Sequence, residues 1–181
     1  MRNLTVSLVA IAAFWWFTTT PDTVAITLPD GAFQYPGYQF SAAEAFTLEG
    51  RVLSRKDYGT GREADLSPTD LAMGWGRMAD EDVVQAIDVS QSNRWYRWWA
   101  QQLPIPRSEI QTHSANVHIV PANLAVEVDL SRVDQDDRIR LSGQLVDVRG
   151  SDGWRWNSSR TRSDTGAGSC ELLLLERIDW L

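Results

Sequence analysis

Residues 138–149 alternate between apolar and polar positions. Ile139, Leu141, Gly143, Leu145 and Asp147 fall on one side, with polar groups between most of them. A period of two marks a half-buried strand. Similar runs predict strands over 46–55 (Phe46, Leu48, Val52, Leu53), over 94–99 and over 117–120, the last closed by Pro121. Residues 171–177 predict a final strand. Its unbroken apolar stretch from Leu172 to Leu175 implies burial on both faces.

Helix signals lie between these runs. Ser67-Pro68-Thr69-Asp70 has an N-cap serine, a proline at the first helical position and an acid at the third, and Gly74-Trp75-Gly76 would stop that helix. Asp80-Glu81-Asp82 ahead of Val83, Val84 and Ile87 predicts a second short helix with acids at its positive end. Residues 122–133 predict a third, with Leu124, Val128 and Leu130 facing inward. Loops are expected over 56–65, 103–106 and 157–169. Gly150-Ser151-Asp152-Gly153 reads as a hairpin turn into Trp154-Arg155-Trp156.

Taken in order, these elements predict an α+β, mainly β domain. It is an OB-like small barrel with a two-helix insertion after the first strand and a helix between strands three and four. Gly143 would mark the bend that a long barrel strand needs.

The N-terminus follows a different pattern. Arg2 precedes an uncharged apolar run from Leu4 to Phe17, ending in Phe14-Trp15-Trp16-Phe17. Adding Thr18 to Thr20 extends the run to a marginal span, and the two tryptophans then fall at interface depth. No Ala-x-Ala site follows. The expectation is an uncleaved anchor over 1–20, a linker over 21–45 and one globular domain over 46–181. The lone Arg2 keeps the N-terminus cytoplasmic. The domain would then be periplasmic on a single-pass inner-membrane anchor, with release after cleavage as the second choice.

Composition narrows the function classes. The chain is 43% hydrophobic with nine tryptophans, as a folded domain requires. A net charge of −7 argues against a nucleic-acid binder, which must neutralise phosphates. Cys170 is the sole cysteine, so no intrachain disulfide forms; it reads as a small buried hydrophobe.

Motifs for chemistry are sparse. Asp164-Thr165-Gly166 matches the core of the aspartic-protease signature, but a polar segment precedes it and no second copy exists. His113 and His118 point to opposite faces of an extended segment and cannot chelate one metal. No metal site or cofactor is expected. Arg94-Trp95-Tyr96-Arg97-Trp98-Trp99 and Trp154-Arg155-Trp156 combine cations with rings, a combination that stacks flat ligands and clamps anions. The plainer reading is that alternate tryptophans fill the core while the arginines face water. Arg94, Trp95, His113, Asn116, Trp154, Arg155 and Trp156 form the candidate binding surface.

Several short segments resemble a family of membrane-anchored, exported proteins of Gram-negative bacteria that has no established activity. They are Leu66-Ser67-Pro68, Gly74-Trp75-Gly76, Leu103-Pro104-Ile105-Pro106-Arg107, His113-Ser114-Ala115-Asn116, Ile119-Val120-Pro121-Ala122, Leu141-Ser142-Gly143, Gly153-Trp154-Arg155-Trp156 and Asp164-Thr165-Gly166. The resemblance spans roughly residues 45–178 and implies an anchor with one exported domain. It carries no catalytic residue.

The leading expectation is a non-catalytic binding or scaffold module of the envelope with a protein partner. The alternative is a nuclease-like hydrolase using His113 with a nearby carboxylate and Asn116 as orienting group.

Overall fold

The computed structural model describes residues 25–29, 32–161 and 169–181. A small hairpin, β1 (Ile26–Thr27) and β2 (Phe33–Gln34), leads into the long β3 (Tyr38–Asp57). Then follow α1 (Arg62–Leu66), β4 (Thr69–Gly74), a 3₁₀ turn (Gly76–Ala79) and α2 (Glu81–Gln85). The hairpin β5 (Asp88–Ser92) and β6 (Trp95–Trp99) precedes α3 (Arg107–Thr112) and β7 (Ser114–Pro121). Last come α4 (Leu124–Leu130), β8 (Arg138–Gly150), β9 (Arg155–Asn157) and β10 (Glu171–Trp180).

Five strands close a ring: β3 pairs with β4, β4 with β7, β7 with β10, β10 with β8, and β8 with β3. Only the β7–β10 pair of that ring is parallel. Closure needs strongly bent strands. β3 shifts register between Ala42 and Glu44 and again between Val52 and Ser54, and β10 between Leu175 and Arg177. Gly143 sits opposite both Phe46 and Leu175. A Cβ there would collide with the Leu174 carbonyl oxygen, so glycine permits the approach of β8 to β10.

Alternation then sorts side chains between ring interior and exterior. Leu48, Leu71, Met73, Val117, Ile119, Ile139, Leu141, Leu173 and Leu175 share one buried cluster, on which α4 packs through Val126 and Leu130. The opposite faces are covered too. Residues between β4 and β7 lay Met78, Val83, Ile87, Ile105 and Ile110 over Ala72. Tyr35, Leu66, Val120, Val146, Val148 and Leu172 form a third cluster. Every residue of β4 is therefore buried, and the Leu172–Leu175 run is covered on both sides as its pattern required.

Four expectations need correction. Thr69–Gly74 is a strand, not a helix. The Ser67 hydroxyl bonds the Thr69 carbonyl instead of capping a helix, and pairing with β3 and β7 overrides the local signal. The expected two-helix insertion after the first strand is absent. One short helix, α1, lies there, and the larger insertion comes after β4. The linker ends before residue 45, because Tyr35 is buried and β3 begins at Tyr38, paired to the end of β8. In α4, Leu124 and Val128 are exposed while Val126 and Leu130 face the core. The expected anchor over 1–20 and Asp164-Thr165-Gly166 lie outside the described residues. Among the described residues, no helix is long and apolar enough to cross a membrane.

Candidate functional site

The candidate surface divides at the tip of the β5–β6 hairpin. Asn93 and Arg94 form its two-residue turn with φ of 51° and 66°. That geometry fits a primed turn, where arginine is an uncommon choice. The side chain supplies the reason. Nη1 of Arg94 donates to Asp70 Oδ1 at 2.7 Å and Nη2 to the Ser67 carbonyl at 2.9 Å. Its guanidinium lies 3.9 Å from the Tyr58 ring centroid, and its backbone N–H donates to the Tyr58 hydroxyl.

Asp70 is fully buried, and its environment is built to hold a charge. His118 faces it directly across the β4–β7 pair, with Nδ1 2.9 Å from Asp70 Oδ1. That contact has hydrogen-bond distance without hydrogen-bond alignment, so Arg94 is the stronger partner. Asn116 Nδ2 donates to Asp70 Oδ2 at 3.3 Å, and Gln91 donates to Asn116 Oδ1 at 2.6 Å. Trp156 closes the cluster, 5.0 Å from the His118 ring and 5.6 Å from the Arg94 guanidinium. Trp154 stacks edge-on against Trp156 and Tyr38 and carries the Arg62 guanidinium at 5.1 Å. Arg155, between them, is exposed. The arrangement clamps the hairpin, the 58–68 segment with α1, and β9 onto the ring.

A groove of about 590 Å³ opens beside the hairpin. All of β6 lines it, together with Leu103 and Arg107, with Ser114, Ala115 and Asn116 of β7, and with Thr161, Ser169 and Cys170. Trp95 is 41% exposed and Trp99 63%. Tyr96 and Trp98 point the other way and pack on the insertion's cluster. The Tyr96 hydroxyl meets Ser114 Oγ at 2.7 Å. Burial pushes its pKa up to about 12, outweighing that hydrogen bond. Arg107 lies over the Trp98 ring at 4.9 Å.

Of the seven candidate residues, Arg94, Asn116 and Trp156 come together in the clamp, with Trp154 beside them. Trp95 faces the groove, which Asn116 also touches. His113 is placed elsewhere. It ends α3 with Nδ1 3.1 Å from the Glu109 carbonyl and 3.0 Å from the Thr112 hydroxyl, and its ring packs near Trp75. It does not join Asn116. Asp70, Arg97, Trp99 and Arg107 were missed. Trp95, Arg97 and Trp99 share one strand face, a signal present in the alternation of 94–99; reading 67–74 as a helix hid Asp70. Among the described residues no group of histidine, cysteine and acidic side chains could hold a metal ion. No protein-family profile matches the chain, and no characterised protein does.

Proposed function

We propose that this chain is a membrane-tethered binding module of the bacterial envelope, built on an OB-type barrel, whose β6 groove receives a protein partner. The ring order, with its one parallel pair and α4 between β7 and β8, supports the OB reading. OB barrels bind ligands on the face of their second and third strands. Here those strands are β4 and β7, and the insertion covers their outer face. The accessible surface has moved to the insertion itself.

The observation that carries the reading is the exposure of Trp95 and Trp99 on a hairpin pinned by the Arg94–Asp70 pair. Exposed aromatics on a rigid element suit recognition. Folding does not require them there, since Tyr96 and Trp98 already fill the underlying cluster. A hydrolase using His113 lacks such support, because its contacts are to the Glu109 carbonyl and the Thr112 hydroxyl. The tether rests on the apolar run from Leu4 to Phe17. A C-terminal reporter active only in the periplasm is the expected result for that topology.

The partner reading is tested by photocrosslinking from membranes. A crosslinking residue at position 99 should give an adduct of discrete mass that excess purified protein competes away. The same residue at position 155 should give none. Equal adducts from both positions, or none from 99, contradict the reading.

A further inference from the structure

Among the described residues, β6 pairs only with β5, so one of its edges has no strand partner. Ser92 and Trp95 flank a two-residue turn and form the first hydrogen-bonded pair of the ladder. Pairing then alternates, so the N–H and C=O groups of Tyr96 and Trp98 point away from β5. No other backbone group among the described residues bonds them. An open edge of five residues, about 17 Å long, is normally blunted by charge, proline or a covering loop. This one lines the groove.

The side chains flanking that edge have a definite chemistry. Trp95, Arg97 and Trp99 alternate on the outer face. Arg97 bonds only the Ser92 hydroxyl, and Arg107 stacks on Trp98; neither has a carboxylate partner among the described residues. Arg51, Arg55, Arg62, Arg77, Arg94, Arg132, Arg140, Arg160 and Arg177 are ion-paired, whereas Arg138, Arg149 and Arg155, none of which lines the groove, form no ion pair among the described residues either. Two unpaired guanidiniums therefore share one groove. Glu171 also lines it but is only 3% exposed, so among the described residues the arginines set the accessible charge.

We infer that the groove binds an extended acidic peptide, which adds a strand to the free edge of β6. Cross-strand neighbours on one face interact directly. Opposite Trp95, Arg97 and Trp99 the peptide carries an apolar, an acidic and an apolar side chain at alternate positions. Backbone hydrogen bonds to Tyr96 and Trp98 fix its register, and these alternate side chains give selectivity. Since tryptophan, arginine and tryptophan read alike in both directions, the pattern itself does not depend on strand polarity. This deepens the partner reading above and rests on it.

The test titrates the full-length chain in detergent with blocked synthetic peptides of about five residues that alternate as apolar–x–glutamate–x–apolar. Tryptophan fluorescence reports binding. A lysine-substituted peptide should bind at least about tenfold more weakly. A copy N-methylated on the amides that face β6 should also lose about tenfold or more. The double substitution Arg97→Glu with Arg107→Glu should reverse the preference, so that the lysine peptide binds better. Binding that ignores N-methylation overturns the strand-addition geometry, and binding that ignores the charge reversal overturns the acidic assignment. Either result leaves the partner reading intact if position 99 still crosslinks. No peptide binding together with no adduct from 99 ends both. A concentration-dependent dimer that Trp99→Ala abolishes would make a second copy the occupant and overturn the inference.

Discussion

Arg94 and Trp95 are neighbours in sequence and opposites in role. Arg94 turns inward to a fully buried carboxylate, while Trp95 turns outward to an open groove. The same division runs through both arginine–tryptophan segments. Trp156 closes a sealed polar cluster and Trp99 stands 63% exposed. Residue type alone therefore does not separate clamp from site. What separates them is the partner each side chain finds across the fold: a desolvated cation needs Asp70, whereas an exposed ring has none among the described residues.

The largest expected effect breaks the clamp. Arg94→Ala leaves Asp70 buried without its cation and should cost about 3–5 kcal/mol in urea unfolding. The double change Arg94→Ala with Asp70→Asn should recover part of that loss. A cost under about 1 kcal/mol would mean that water, not Arg94, satisfies Asp70. Trp156→Ala removes the lid over His118 and should cost about 3 kcal/mol, the low end for a core tryptophan because this ring is only partly buried.

Between clamp and groove lies Tyr96, buried under the hairpin with its hydroxyl on Ser114. Its folded pKa of about 12 exceeds the ordinary value of 10. The unfolded chain therefore loses this proton first as pH rises. Stability from the neutral phenol is complete below pH 10 and declines toward pH 12, by on the order of 2 kcal/mol. Tyr35 and Tyr58 titrate in the same direction, so the alkaline decline has three sources among the described tyrosines. Tyr96→Phe should flatten part of it in melts run from pH 9 to 12; an unchanged slope would remove Tyr96 from the explanation. The smallest effect is Arg155→Ala, an exposed position, which should stay within about 0.5 kcal/mol of the parent.

Much of the ring was legible in the sequence. The alternation over 138–149, the apolar run at Leu172–Leu175 and the Val117–Val120 core each carry a period set by burial, and each sits inside an observed strand. The strand Thr69–Gly74 was not legible. Its Ser67-Pro68 start mimics a helix cap, and its burial depends on two partner strands and a covering insertion. Residues 38–45 were masked by small and polar side chains in Ser41-Ala42-Ala43-Glu44-Ala45, and only their pairing with β8 makes them a strand. Within the candidate site, the aromatic segments were visible. The clamp was not, because Asp70 meets Arg94 and Asn116 from 24 and 46 residues along the chain. Nor was the placement of His113, which depends on where α3 ends.

The division between clamp and groove is tested most directly by the double substitution Trp95→Ala with Trp99→Ala. Urea unfolding and acidic-peptide titration are run on the same preparation. The expected result is a stability loss no larger than about 1 kcal/mol together with loss of peptide binding. A loss of about 3 kcal/mol or more, with binding retained, would place both rings in the core and contradict the division.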